Sequence, residues 1–322
     1  MKTFIPFTIA AALVASGLAN AQAFSKPSGY VTQDLAANQF NLVGIALHGS
    51  PVASGALDTV AGNALTDNDF AFSPEAGKTY VLEILTGSIA GTVQAIPAAN
   101  IVGTTITTPD DLGSMGLVST DTYSLRLAPT LEEIFGTDSN SVLSRSLSSN
   151  TADIVWIPDR AGSYDKYFVH ITGAFRFAGT TTLAPNVPVV YSDGILVQKR
   201  GTASSLVLTG EVKTKGTNSV ASQGFNLISV VAPAGLTLFT SGLADDLAVS
   251  LSQNTADIVW LPQAGGTYNK YFRHISGNWR NVSAPTVNVT VDVDLPSAIW
   301  IQRKSASAAN ITLDVPTTYG NL

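Results

Sequence analysis

Ser148–Arg176 reads SSNTADIVWIPDRAGSYDKYFVHITGAFR, and Ser252–Arg280 reads SQNTADIVWLPQAGGTYNKYFRHISGNWR. Eighteen of these 29 positions are identical, at a constant offset of 104 residues. The offset holds without a gap from Pro129/Pro233 to Val197-Gln198-Lys199-Arg200, which matches Ile301-Gln302-Arg303-Lys304. A match this long marks a duplicated structural module rather than a short-period solenoid. Residues kept in both copies are therefore read first as requirements of the fold.

Outward from the repeat, the chain is a series of apolar, β-branched runs separated by Gly, Pro, Asn and Asp, the pattern of strands and turns. Phe40–Leu47, Tyr80–Leu85, Thr92–Ile96, Ile101–Thr107 and Thr122–Leu127 are strand candidates before the repeat. Within it are Asp153–Ile157, Lys166–Ile171, Ala174–Phe177 and Ile195–Arg200, followed by Leu206–Lys213 and Phe225–Val231. Thr130-Leu131-Glu132-Glu133 is a capping box and predicts one short helix, ended by Gly136. The second copy keeps the phenylalanine (Phe135, Phe239) but lacks the cap. Phe40-Asn41-Leu42 resembles Phe225-Asn226-Leu227, yet Phe40 stands 110 residues before Asn150 and Phe225 only 29 before Asn254. The first copy thus carries an insertion. The expectation is an all-β chain of two related sandwich- or barrel-like modules with a small β insertion in the first and one short helix. The first module spans 24–203, with the insertion at about 66–128, and the second spans 204–322.

At the N-terminus, Lys2, the apolar run Phe4–Leu18 and Ala21-Gln22-Ala23 read as a secretory signal over 1–23, which predicts an exported protein. No later run is long and apolar enough to be read as a membrane span. The chain has no cysteine, which excludes disulfides and thiol chemistry. A net charge of −6, without a basic stripe, argues against nucleic acid as a partner.

Alternation along Tyr164–Ile171 puts Tyr164, Lys166, Phe168 and His170 on one face. The second copy repeats that face as Tyr268, Lys270, Phe272 and His274, while the other face drifts. One reading is a ligand surface: aromatics stack on sugar rings, and Tyr164, Lys166, His170, Tyr268, Lys270 and His274 make the polar contacts. The other is a half-buried face with lysine stems lying over aromatic rings. Trp156 and Trp260, mid-strand, read as core. Asp153 and Asp257 open the matched strand and Arg176 and Arg280 close the block, so each Asp–Arg couple is a candidate bidentate pair pinning two strands. No metalloprotease, nucleophile-elbow, P-loop or dinucleotide motif occurs. Asp67-Asn68-Asp69 lacks the spaced ligands of a calcium loop. No catalytic residue, metal or cofactor is assigned.

Several elements occur in an order that resembles a family of uncharacterised exported bacterial β-rich proteins. They are Phe40-Asn41-Leu42, Tyr80-Val81-Leu82-Glu83-Ile84, the run Arg126 to Gly136 containing Pro129-Thr130-Leu131, Ala152-Asp153, Tyr164 to Phe168, Phe175-Arg176 and Ile195 to Arg200. The family pattern has Trp where Phe175 stands; Trp279-Arg280 restores it in the second copy. The resemblance implies export and no assigned activity. The function expected is a structural or adhesive protein of the cell envelope or surface that contacts protein or polysaccharide partners or itself. The alternatives are a secreted carbohydrate-binding module and, more remotely, a secreted hydrolase.

Overall fold

In a computed structural model, which describes residues 27–159 and 162–321, the two repeated stretches build the same sheet. The leader expected at 1–23 lies outside the described residues. The first sheet runs Phe175–Phe177, Tyr164–Val169, Ile154–Pro158, Ile195–Lys199, Gln39–Val43. The second runs Trp279–Asn281, Tyr268–Arg273, Ile258–Pro262, Ala298–Arg303, Gly224–Ser229, with the additional edge strand Ala284–Asn288. All neighbours are antiparallel and the registers correspond. Trp156 stands opposite Lys166 and Leu196; Trp260 stands opposite Lys270 and Trp300.

Period-two alternation explains both sheets. Val155, Ile157, Tyr167, Val169 and Val197 point into one core, and Val259, Leu261, Tyr271, Trp279 and Ile301 into another. Each core is closed on its far side by a pair of strands. Ser28–Leu35 pairs with Ser204–Val212 over its whole length, contributing Leu35, Leu206 and Leu208. Thr217–Ala221 pairs with Ala309–Leu313, contributing Ala221, Ile311 and Leu313. The layers are therefore open sheets packed face to face, and no sheet closes into a barrel among the described residues. A division at 203/204 would cut the first of these pairs, because Ser204–Val212 completes the N-terminal layer.

The long segment between the first two elements of the repeat has its own core. Pro51–Ala56, Thr122–Leu127, Thr79–Ile84 and Val93–Pro97 form one four-stranded sheet. Thr59–Ala61, Ala64–Thr66, Thr105–Thr107 and Ile101–Val102 form a second. Leu65, Tyr80, Leu82, Ile96, Tyr123 and Leu125 fill the space between. This sheet begins at Pro51, ahead of the residue 66 read from the sequence, because Pro51–Ala56 is the edge partner of Thr122–Leu127. The run Phe40–Leu47 divides into Gln39–Val43 and Leu47–His48 around Gly44. The capping box forms as the spacing requires: Thr130 accepts from the Glu133 amide, Glu133 accepts from the Thr130 amide, and Leu131–Phe135 is helical.

Two close approaches join the repeated sheets. A Cβ on Gly44 would lie 1.6 Å from the Ser297 carbonyl oxygen, and one on Gly194 would lie 2.6 Å from Leu227. Only glycine permits either contact. Backbone bonds cross here as well, with Ser229 donating to Ser192 and Gly194 to Leu227.

Candidate functional site

The outward faces of the two repeated sheets carry a single row of aromatic rings. From one end it runs Phe40, Trp156, Tyr164, Trp300, Phe225, Trp260, Tyr268. Neighbouring centroids are 5.2–6.4 Å apart and every interplanar angle lies between 60° and 87°. These are edge-to-face contacts, the arrangement the ring quadrupole favours. Tyr164 to Trp300, at 6.1 Å, is the step that crosses from one repeat to the other. Phe40 and Phe225 are exposed, and the tryptophans and tyrosines of the row are half-buried. The core position expected for Trp156 and Trp260 is therefore not what the fold gives them. Val155 and Ile157, one residue either side, take the inward positions and leave the indole outside.

Lys166 Nζ lies 3.9 Å from the centre of the Trp156 ring, and Lys270 Nζ lies 3.8 Å from that of Trp260. Of the six ligand candidates, Tyr164, Lys166, Tyr268 and Lys270 thus belong to this row. His170 and His274 do not. They share the face but sit four residues beyond Lys166 and Lys270, about 13 Å at the rise of a strand. There each ring bonds into its own turn, through Nδ1 to the Thr172 and Ser276 hydroxyls, both at 2.9 Å. Burial, followed by Asp159 and Asp193, pushes the Tyr164 hydroxyl up to about 12, so the row is uncharged at its tyrosine near neutral pH.

The Asp–Arg pairs suggested by the repeat do not form. Asp153 pairs with Lys199 at 2.7 Å and accepts from the amides of Ser144, Arg200 and Gly201. Asp257 pairs with Arg303 at 3.5 Å and accepts from the amides of Ala248 and Lys304. Arg176 instead donates to the Thr181 carbonyl, and Arg280 to Pro285 and Asn288. Strand parity is the reason. Asp153 shares the side of Val155, whereas Arg176 stands opposite Phe168 on the other face of the sheet. The correct partners were present in the repeat, since Lys199 and Arg303 are themselves related by the 104-residue offset. Burial alone would raise the Asp153 carboxyl, but Lys199 and the three amides outweigh it and hold the group below its usual range.

A second cluster joins the insertion to the first repeat, and sequence reading missed it. Glu83 and Arg126 come from neighbouring insertion strands and pair at 2.8 Å. Lys213, just after Ser204–Val212, makes a second, shorter ion pair with Glu83 and donates to the carbonyls of Lys215 and Gly216. His48 and Tyr191 complete the cluster, with ring centres 5.6 Å apart. All five side chains are buried. Burial raises the Glu83 carboxyl, yet Lys213 and Arg126 reverse that and leave it below the usual range. Burial, then Arg126 and Lys213, push His48 down to about 4 against partial opposition from Glu83 and the Gly49 carbonyl. The ring is neutral at neutral pH, and its Nε2 has no hydrogen-bond partner among the described residues. The visible signal was a charged residue inside each apolar strand, Glu83 in Tyr80–Ile84 and Arg126 in Tyr123–Leu127. What the sequence hides is that they meet each other and Lys213.

No family model, curated protein or solved structure matches this chain. Chemistry must therefore be read from the geometry alone. The buried cluster lines neither of two surface clefts, one beside Asp58, Asp67, Asp69 and Phe70 and the other beside Val31, Gln33 and Pro296. It is a buried network of one carboxylate paired with two cations. Asp67, in the Asp67-Asn68-Asp69 run, is occupied by protein donors: the Tyr123 hydroxyl at 2.8 Å and the Asp69 amide at 3.0 Å. No group of His, Asp and Glu side chains with metal-holding geometry occurs among the described residues, and no described helix is long and apolar enough to cross a membrane.

Proposed function

We propose that this is an exported structural or adhesive protein of the cell envelope or surface that makes its contacts through the outward aromatic face. The observation that carries the reading is the unbroken ring row across both repeats, joined at Tyr164 and Trp300. A half-exposed aromatic surface of this extent on a sparsely charged protein is characteristic of an interaction face. The ring geometry favours protein contact over sugar stacking. Rings tilted 60–87° to one another offer no common plane for a pyranose chain. The lysine ammonium groups also stand over the indole faces a sugar would need. The leader-like N-terminus supports export. The test is fractionation of expressing cells combined with a glycan array on the purified protein. The expected result is protein in the exported fraction, retained at the envelope, with retention lost in Trp156→Ala/Trp260→Ala/Trp300→Ala. Cytoplasmic protein, or envelope retention unaffected by the triple variant, would overturn the reading. Saturable glycan binding abolished by the same variant would replace it with the carbohydrate-binding alternative.

A further inference from the structure

Charge is distributed over this molecule in a way the repeat does not require. The outward strand positions of the two sheets hold Lys166, Lys270, Arg176 and Arg280, and no aspartate or glutamate. Asp159 and Asp193 approach this face only at its rim beside Tyr164. The insertion is the opposite. Between Pro51 and Leu127 there are eight acidic residues and two basic ones, Lys78 and the buried Arg126. Asp58, Asp69, Glu75, Asp110 and Asp111 are exposed on it, while its one buried glutamate, Glu83, is already neutralised by Arg126 and Lys213.

The two surfaces cannot satisfy each other within one molecule. Val81 and Val93, on insertion strands, belong to the core beneath the first five-stranded sheet. The insertion therefore adjoins the inward side of that sheet, and the aromatic face looks the other way. Resting on the adhesive reading above, we infer that the partner of the aromatic face is a second copy of this chain, whose acidic insertion seats against Lys166 and Lys270 while its apolar edges cover the tryptophans. Such a contact joins two different patches. It is heterologous, and repeated head to tail it builds open chains unless the rotation closes a ring. Opposite charge supplies orientation and rate, and burial of the ring row supplies the attraction that outlasts screening.

The test is sedimentation velocity on the purified protein across concentration and salt, with two charge-reversed variants. One is Lys166→Glu/Lys270→Glu on the sheet face; the other is Asp58→Lys/Asp69→Lys/Asp110→Lys/Asp111→Lys on the insertion. The expected result is concentration-dependent, salt-weakened association of the wild type, a loss of at least tenfold in affinity for each variant alone, and recovery on mixing the two. Circular dichroism establishes that both variants are folded, and Trp260→Ala provides an uncharged probe of the same face. A wild type that stays monomeric overturns the inference, as does association that survives the sheet-face variant and Trp260→Ala together, or a mixture that fails to recover. A monomer still retained at the envelope through the tryptophans leaves the adhesive reading standing and removes only the second copy as partner. Binding of an acidic polysaccharide by a monomeric wild type, lost in Lys166→Glu/Lys270→Glu, overturns self-association as well.

Discussion

The two repeats share a strand order and an outward face, but they anchor the matched strand with unequal strength. In the first, Asp153 holds Lys199 at 2.7 Å and three backbone amides; in the second, Asp257 holds Arg303 at 3.5 Å and two. The first repeat also carries the insertion and the extra ion network of Glu83, while the second extends its sheet by Ala284–Asn288. What persists through duplication is the carboxylate under the strand and the lysine over the indole. What drifts is everything that decorates the edges. Internal duplication here separates fold requirements from additions in a way a single copy does not.

The largest blow to this comparison should come from the part with no counterpart. Glu83→Gln leaves Lys213 and Arg126 buried without their carboxylate, and removing one partner of a buried pair costs about 3–5 kcal/mol. Hydrogen exchange should show early opening of Thr79–Ile84 and Thr122–Leu127 while Ile258–Pro262 stays protected; uniform opening of both would mean the insertion is not separately fastened. Next come the two anchors. Asp153→Asn should cost about 3–5 kcal/mol, the loss on removing one partner of a buried ion pair, and Asp257→Asn measurably less, since its ion pair is longer and it accepts from one amide fewer. Equal midpoint shifts in urea would erase the asymmetry.

His48 sharpens the comparison through pH. Its folded value, about 4, lies below the 6.5 of an unconstrained ring, so the unfolded chain binds the proton first. Stability is complete above 6.5 and falls as pH drops from there toward 4, by about 3 kcal/mol for 2.5 pH units at 1.36 kcal/mol each. The carboxylates of Glu83 and Asp153, held low in the fold, act in the same direction at lower pH. His48→Gln should remove the His48 share, measured as the difference in urea unfolding free energy between pH 7 and pH 4. An unchanged difference would show that the ring is not confined by the cluster. The smallest effect belongs to what the repeats share. Lys166→Met and Lys270→Met should each cost about 0.5–1 kcal/mol, the worth of an exposed cation–π contact, and should match one another.

Much of this architecture was legible where the determinants are local. Alternation gave the strands of the repeated sheets but not Ser28–Leu35, Pro51–Ala56 or Thr217–Ala221; Thr130 and Glu133 gave one of the two short helices, the other being Leu243–Asp246; and the 104-residue offset gave two sheets of matching order. The face carrying Tyr164 and Lys166 was legible as a face, but not as the open one, because a half-exposed indole and a core indole leave the same mark in a strand. The Asp153–Arg176 pairing failed because proximity in a repeated block was weighed without strand parity. The cluster of His48, Glu83, Arg126, Tyr191 and Lys213 was beyond reach for a different reason. Its members are spread over 166 residues of chain; Glu83 and Arg126 meet within one sheet, but Lys213, His48 and Tyr191 reach them only when the first repeat packs against it.

The partner of Ser28–Leu35 is Ser204–Val212, and everything between them must be made first. Any chain that emerges from its N-terminus upward holds an unpaired β edge through most of its synthesis. Closure of such a distant contact carries a loop-entropy cost and slows folding. The insertion, whose strands all lie between Pro51 and Leu127, is free to form meanwhile. Timing is thus written into the topology: the early strand waits, and the late one decides when the first repeat is finished.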